Sequence, residues 1–375
     1  MKKITINIEM VLFIIYGIIA MIIFMGKDYL QNAIPLLLGV CFFYVKKYKF
    51  PLRIRRVILS FILLIIIQIF GLFLNLTLYS IRTIFISCTI LLFIYILLCY
   101  KKSNNINFKF YYISTIIFCI LILFSSIKIY GTNSIGGYLI FYFLNISVFI
   151  FINNDNITEE RTIFLVMIGI LFSIICTVLL SARTAMISGI LFILFYIILY
   201  KFSKLINKKL FFIIVGSIFI ITYIYINAKN YSWYTSLNFY SIKYFGKNID
   251  SGRSYLWINS LGELKNIKSW LFGLGTGITP HLERYMGSSF HNSFIQMLMQ
   301  NGMVGLFCIV LIFYNIWNNI ILISSIRLKA LFASVLFIIL IYNCMETTLL
   351  QNKAILGILQ WNLLTMGLIC SRRIK

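Results

Sequence analysis

The chain has 375 residues, of which 61% are hydrophobic and only 11% charged, with a mean hydropathy of +0.98. Soluble globules carry about a quarter of their residues as charges, so this composition excludes one and leaves a polytopic membrane protein. The formal net charge of +24 does not indicate a nucleic-acid partner, because the cations lie in short loops between apolar runs instead of on a water-facing fold.

Runs of about 18 to 25 apolar residues recur along the chain, each long enough to cross a hydrocarbon core of roughly 30 Å as a helix. Lipid leaves the backbone no water to bond, and these runs lack the alternation of barrel strands, so the predicted fold class is all-α. In chain order the predicted spans are 8–25, 29–45, 57–76, 81–100, 110–127, 138–152, 163–181, 185–200, 210–227, 292–315, 328–345 and 354–370, about twelve transmembrane helices. Met1-Lys2-Lys3 before the first run is like a signal-peptide start, but no small-x-small cleavage site follows, so the run reads as an uncleaved helix. The eight cysteines fall in or beside apolar spans with no C-x-x-C pair, and read as free, small apolar residues.

Cations alternate with the spans. One side collects Lys46, Lys47, Lys49, Arg53, Arg55 and Arg56, then Lys101, Lys102 and Lys109, then Lys201, Lys204, Lys208 and Lys209, then Arg327 and Lys329, then Arg372, Arg373 and Lys375. The opposite short loops hold only Lys27, Arg82, Lys128, Arg183 and Lys353. The positive-inside rule therefore predicts both termini in the cytoplasm.

The one long connection, residues 228–290, then falls on the outer face, where a loop of this length is usually functional. It opens with aromatic and polar residues from Tyr231 to Tyr240 and continues through Arg253 into an amphipathic helix with Trp257, Leu261 and Leu264 on one face. That helix either lies along the membrane interface with Trp270 as an anchor or packs over the bundle. Gly273, Gly275 and Gly277 follow, ending at Pro280; they make either a plain loop or an anion nest in which Gly275 approaches a phosphate. Neither a preceding strand nor a G-K-[ST] ending is present, which argues against a nucleotide site.

Chemistry concentrates around this loop. Arg183, in Ser181-Ala182-Arg183-Thr184, lies in a short turn on the cation-poor side; it either snorkels or offers its fork to phosphate oxygens. Ser80-Ile81-Arg82-Thr83 is similar, and is read as coincidence. Arg253, in Ser251-Gly252-Arg253, is either a solvated loop cation or a second phosphate ligand, and two arginines together would neutralise a diphosphate leaving group without requiring a metal. His291 opens the tenth span, where an imidazole can accept a proton near neutral pH. Asn292, Gln296 and Gln300 recur at i, i+4 and i+8 and share a face, which suits either sugar hydroxyls in a wet cavity or bonds between helices. His281 is read as a bystander, and a zinc site from His281 and His291 lacks further ligands at sensible spacing. Asp250, Glu263, Glu283 and Glu346 are the outer carboxylates that could serve as alternative bases or sugar ligands, unranked by sequence.

The order S-A-R-T, S-G-R followed by Y-L-W, L-F-G-L-G-T-G, H-N-S-F-I-Q and N-G-M-V-G-L, over about residues 181–311, resembles the O-antigen polymerase and O-antigen ligase superfamily. The resemblance implies a metal-independent, cofactor-free membrane glycosyltransferase with a GT-C-like fold, acting at the outer face of the bacterial cytoplasmic (inner) membrane on undecaprenyl-diphosphate-linked oligosaccharide. It implies that Arg183 and Arg253 hold the diphosphate, that His291 is the catalytic histidine, and that a chain-length regulator and a flippase of the same pathway are partners. The expected organisation is an N-terminal bundle over 1–180, a catalytic core over 181–315 and C-terminal helices over 316–375. The expected activity is polymerisation of repeat units. Alternatives are ligase-type transfer to a final acceptor or, in a different class, a flippase, although no repeat of two similar halves is visible.

Overall fold

The computed structural model describes residues 50–99, 132–153, 158–246, 248–280, 289–350 and 354–372. The predicted spans 8–25, 29–45 and 110–127 lie outside the described residues, as do His281, Glu283, Cys41, Cys119 and the loop cations at 27, 46–49, 101–109, 128, 353 and 373–375. Each of the other nine predicted spans is a helix. They are α1 (Leu52–Leu74), α2 (Leu78–Leu98), α3 (Thr132–Asn153), α4 (Glu159–Leu179), α5 (Arg183–Lys201), α6 (Lys208–Ile226), α10 (Ser293–Ile320), α11 (Ile326–Asn343) and α12 (Ala354–Cys370). Seven are long and apolar enough to cross a membrane, while α3 and α12 contribute the shorter apolar stretches Ile135–Val148 and Leu356–Cys370. No strand occurs among the described residues.

Polar residues at the predicted ends start these helices. Thr77, Thr158, Asn207, Asn292 and Ser325 are N-caps whose side chains accept backbone N–H groups of the first turn. Helix α10 packs along α1, α11 packs against α5, and α3 lies between α4 and α12. Phe61, Trp317, Phe332 and Trp361 fill the interior, whereas Phe73, Phe164 and Phe212 point outward, as side chains facing lipid do. Buried amides tie helices together: Asn145 Nδ2 donates to Leu359 O at 2.9 Å, and Asn362 Nδ2 donates to Asn145 Oδ1 at 2.8 Å.

The two ends of the bundle differ in charge. One end gathers Arg53, Arg55 and Arg56 with Lys201, Lys208, Lys209, Arg327 and Arg372, at the starts of α1, α6 and α11 and the ends of α5 and α12. At the other end α5 and α10 begin and α6 and α11 finish, bringing Arg183, His291 and the residues after Asn343 to one level.

The long connection is not structureless. It holds α7 (Trp233–Phe245), α8 (Arg253–Gly262) and α9 (Ile267–Phe272). Of the two readings for the amphipathic helix, α8 takes the one that packs over the bundle: Leu256 and Trp257 are fully buried in a cluster with Leu264, Ile278, Phe290, Ile295 and Met299. The indole Nε1 of Trp257 donates to Phe290 O at 2.6 Å, which fixes α8 above the start of α10. Trp270 is 41% exposed.

Helix α10 breaks at Gly302, whose φ of +64° and ψ of −165° are not helical. The break exposes carbonyls of the preceding turn, and the glycine-rich strap after α9 supplies their donors: Leu274 N–H bonds Met299 O at 2.8 Å and Gly275 N–H bonds Gln300 O at 3.2 Å. Thr276 N–H bonds Gly71 O of α1 at 3.1 Å, and Ser80 Oγ of α2 donates to Thr276 O. These amides are therefore committed to protein carbonyls and leave no anion nest, and a side chain at Gly275 would collide with Asn75. Tight packing, not phosphate, accounts for the glycine.

Candidate functional site

The level shared by Arg183, His291 and the end of α11 contains a cavity of about 490 Å³. Its floor and walls are apolar: Ile187 and Leu191 from α5, Ile218 and Ile221 from α6, and Ile341 from α11. Leu237, Tyr240, Ser241 and Tyr244 of α7 cover it, and Arg183 and Arg253 supply its cations. An apolar chamber lined by two arginines matches an amphiphile with an anionic head.

Arg183 is the first residue of α5, delivered by a turn in which Ser181 takes a left-handed φ of +51°. Its Nη1 donates to Ser241 Oγ at 2.7 Å and to Asn248 O at 3.1 Å, and its Nη2 donates to Ser251 Oγ at 2.7 Å. A guanidinium has five N–H groups, so the Nε–H and one Nη2–H remain beyond these three bonds. A snorkelling arginine reaches for water; this one is folded into the loop.

Arg253 starts α8. The preceding Ser251 and Gly252 both have positive φ, +48° and +79°, and Arg253 N–H closes the turn on Asp250 O at 2.8 Å. Asp250 is the staple of this turn: it accepts from Ser254 Oγ at 2.6 Å and pairs with Lys229 at 3.2 Å. Burial pushes its carboxyl upward, but the bonds from Ser254, Lys229 and Gly252 outweigh it and hold the group below its ordinary range. Asp250 therefore holds the loop that delivers Arg253.

The side chain of Arg253 turns to Glu346. Its Nη2 lies 3.0 Å from Glu346 Oε1, with the carboxylate only 4% exposed. The other carboxylate oxygen, Oε2, stands 4.0 Å from His291 Nδ1. Glu346 thus joins the two residues that sequence had singled out, which are far apart in the chain. A network next to it fixes the register of α10 against α11: Ser293 Oγ donates to Asn343 Oδ1 at 2.9 Å and lies 3.1 Å from Glu346 O, while Asn343 Nδ2 donates to Gln360 Oε1 at 3.0 Å. His291 has a left-handed φ of +53°, uncommon for a residue with a side chain. The three non-glycine residues of positive φ among the described residues, Ser181, Ser251 and His291, each adjoin or belong to this arrangement, where backbone strain tends to be retained for function.

Of the predicted site residues only Arg183 and Arg253 line the cavity; His291 and Glu346 stand beside it, linked to it through Arg253. Asn292, Gln296 and Gln300 are buried, but none lines the arginine cavity. Asn292 Oδ1 caps α10 by accepting from Phe294 and Ile295 N–H, Gln300 Nε2 donates to Ile278 O at 3.1 Å, and Gln296 borders a small separate pocket with Ser293 and Thr347. Gln300 thus ties α10 to the strap, while Asn292 serves its own helix. Arg82 is exposed on α2, in keeping with a coincidental S-I-R-T, and Glu263 caps the end of α8. Among the described residues no three His, Cys, Asp or Glu side chains are placed to share a metal ion.

A protein-family model described as O-antigen ligase matches residues 168–310. The matched segment runs from within α4 into α10 and contains Arg183, Arg253 and His291, with Glu346 beyond it. Comparisons with curated proteins and with solved structures gave no match.

Proposed function

We propose that this chain, which through residues 168–310 belongs to the O-antigen ligase and polymerase superfamily, is a polysaccharide polymerase that joins undecaprenyl-diphosphate-linked repeat units at the outer face of the cytoplasmic membrane. That membership ties it to glycan transfer in polysaccharide assembly at a membrane and lends no support to a flippase. The observation that carries the reading is the pairing of an apolar chamber with Arg183 and Arg253 in its lining, and a His291–Glu346 pair joined to Arg253. The chamber takes the start of a polyprenyl chain and the arginines take its diphosphate. Bundle charge supports the orientation, since the opposite end collects the cations that the positive-inside rule assigns to the cytoplasm.

In this reading an acceptor sugar hydroxyl attacks the anomeric carbon of the lipid-linked donor. The new glycosidic C–O bond forms as the bond from that carbon to the diphosphate oxygen breaks, with inversion, and the hydroxyl proton passes to His291. Glu346 Oε2, 4.0 Å from Nδ1 and beyond hydrogen-bond reach, favours through its charge the imidazolium that forms as the proton arrives. The arginines stabilise the negative charge that develops on the departing diphosphate. Asn292, Gln296 and Gln300 support the position of α10 and hence of His291, and Gly275 supports the strap behind it.

The purified protein incubated with a lipid-linked repeat unit is expected to give a ladder of lengthened products, and H291A at normal expression is expected to give none. Ligase-type transfer is the second reading, favoured by the description of the matching family. It predicts a single transfer to a different acceptor and no ladder. Full polymer production by H291A would end the role assigned to the imidazole.

A further inference from the structure

Helix α7 covers the cavity, and it is held there differently from the other helices. Among its described side chains only Ser241 is buried, while Leu237, Phe239, Tyr240, Ile242 and Tyr244 are each at least 47% exposed. A helix docked by hydrophobic burial sinks its apolar side chains; this one sinks a serine. Its ties are polar. Arg183 Nη1 donates to Ser241 Oγ, Ile249 N–H donates to Asn238 Oδ1 at 2.9 Å, and Tyr234 lies beside Asp250. The same guanidinium also holds the chain that leaves α7, through Asn248 O and Ser251 Oγ. At that exit Gly246, with φ +64°, ends the helix, and Ser251 and Gly252 again take positive φ, so the segment turns sharply at both of its outgoing corners.

We propose that α7 is a lid over the cavity, latched by Arg183 through Ser241 and Ser251, and that these two serines are positioning residues for the guanidinium. The identity of the ligand rests on the donor reading above; the latch does not. Three of the five N–H groups of Arg183 go to the lid segment, and the two that remain, Nε–H and one Nη2–H, are held in place by those bonds. A closed lid therefore presents a fixed pair of donors to an anion. Linkage then requires the reverse: an anion on Arg183 favours the closed lid. In this proposal displacement of α7 admits a donor with a long apolar tail and an oligosaccharide head, and its phosphate recloses the lid.

Hydrogen exchange of the full-length protein in detergent tests this, with the amides of α8 as an internal reference. Breaking a hydrogen bond to a charged donor should speed lid opening about tenfold or more, so S241A and S241A/S251A are expected to raise exchange over residues 233–246 by that factor, with S241T restoring protection. The same serine variants are expected to raise the KM for donor more than they lower kcat. Farnesyl diphosphate, with farnesol as the uncharged control, is expected to slow exchange of α7 in the wild type and not in R183A. Unchanged exchange in the double variant overturns the latch, and protection by farnesol equal to that by farnesyl diphosphate overturns its coupling to phosphate. Failure of the repeat-unit ladder with these exchange changes intact would reject the polymerase reading and leave the lid standing.

Discussion

Glu346→Gln separates the roles assigned to the site. Gln keeps the shape of a side chain that is 4% exposed and removes the charge that faces Arg253 at 3.0 Å and His291 at 4.0 Å. At 4.0 Å the carboxylate acts on His291 through its charge and not through a hydrogen bond, an interaction of about 1–4 kcal/mol between water and a protein surface once the imidazole takes the proton, so its loss should slow transfer roughly 5- to 1000-fold. The loss should fall on kcat. Arg253 lines the cavity and, freed from its carboxylate, turns to the diphosphate, so KM for the donor stays level or falls. Breaking a buried ion pair can cost several kcal/mol, but Arg253 keeps 12% of its side chain exposed in the cavity and the stability cost should lie at the low end. The assay is the initial rate of repeat-unit transfer over a range of donor concentrations, with melting in detergent as a control for folding. A kcat within about threefold of wild type, or a raised KM with kcat intact, would refute the reasoning.

Two further perturbations probe the scaffold. The folded pKa of Asp250 lies below its unfolded value of about 3.9, so the stability it lends the Arg253 turn is complete above that pH and is lost as pH falls through the lower folded value. Exchange over residues 248–262, corrected for intrinsic rates, should therefore rise below about pH 4 relative to α10, and D250N should already be loosened at neutral pH and lack this dependence. Gly302→Ala places a side chain at φ +64° against the carbonyl of Leu271, which should cost about 1–3 kcal/mol and lower melting by about 1–4 °C. A wild-type melting curve for that variant would contradict the interlock between α9 and α10.

Most of the scaffold was legible because lipid leaves few choices: the nine predicted spans that fall on described residues are helices, and polar residues stand at their caps. Arg183, Arg253 and His291 stood out as polar residues in an apolar chain, which singles them out without alignment. Glu346 did not, since it was one of four outer carboxylates and its value comes from the packing of α10 against α11, a pairing that no local pattern carries. The glycine-rich strap stayed open between a plain loop and an anion nest for a related reason. Glycines serve close approach to any backbone, and the carbonyls that recruit Leu274 and Gly275 arise from a break some 25 residues later, at Gly302. The amides of α10 were correctly placed facing inward, but periodicity does not say whether the interior they meet is protein or cavity.

The strap also sets a schedule for assembly. Thr276 bonds Gln68 O and Ser80 across 208 and 196 residues of chain, and the carbonyls that accept from its neighbours Leu274 and Gly275 belong to Met299 and Gln300. At a synthesis rate of about 5–20 residues per second, α1 and α2 enter the membrane on the order of ten to forty seconds before their partners emerge from the ribosome. Arg183 and then Arg253 are made within that interval, but until Met299 and Gln300 follow the strap lacks their carbonyls, and Glu346 comes later still. A chain stalled after Arg253 thus carries the cations of the cavity before the strap and the carboxylate that hold their surroundings in place.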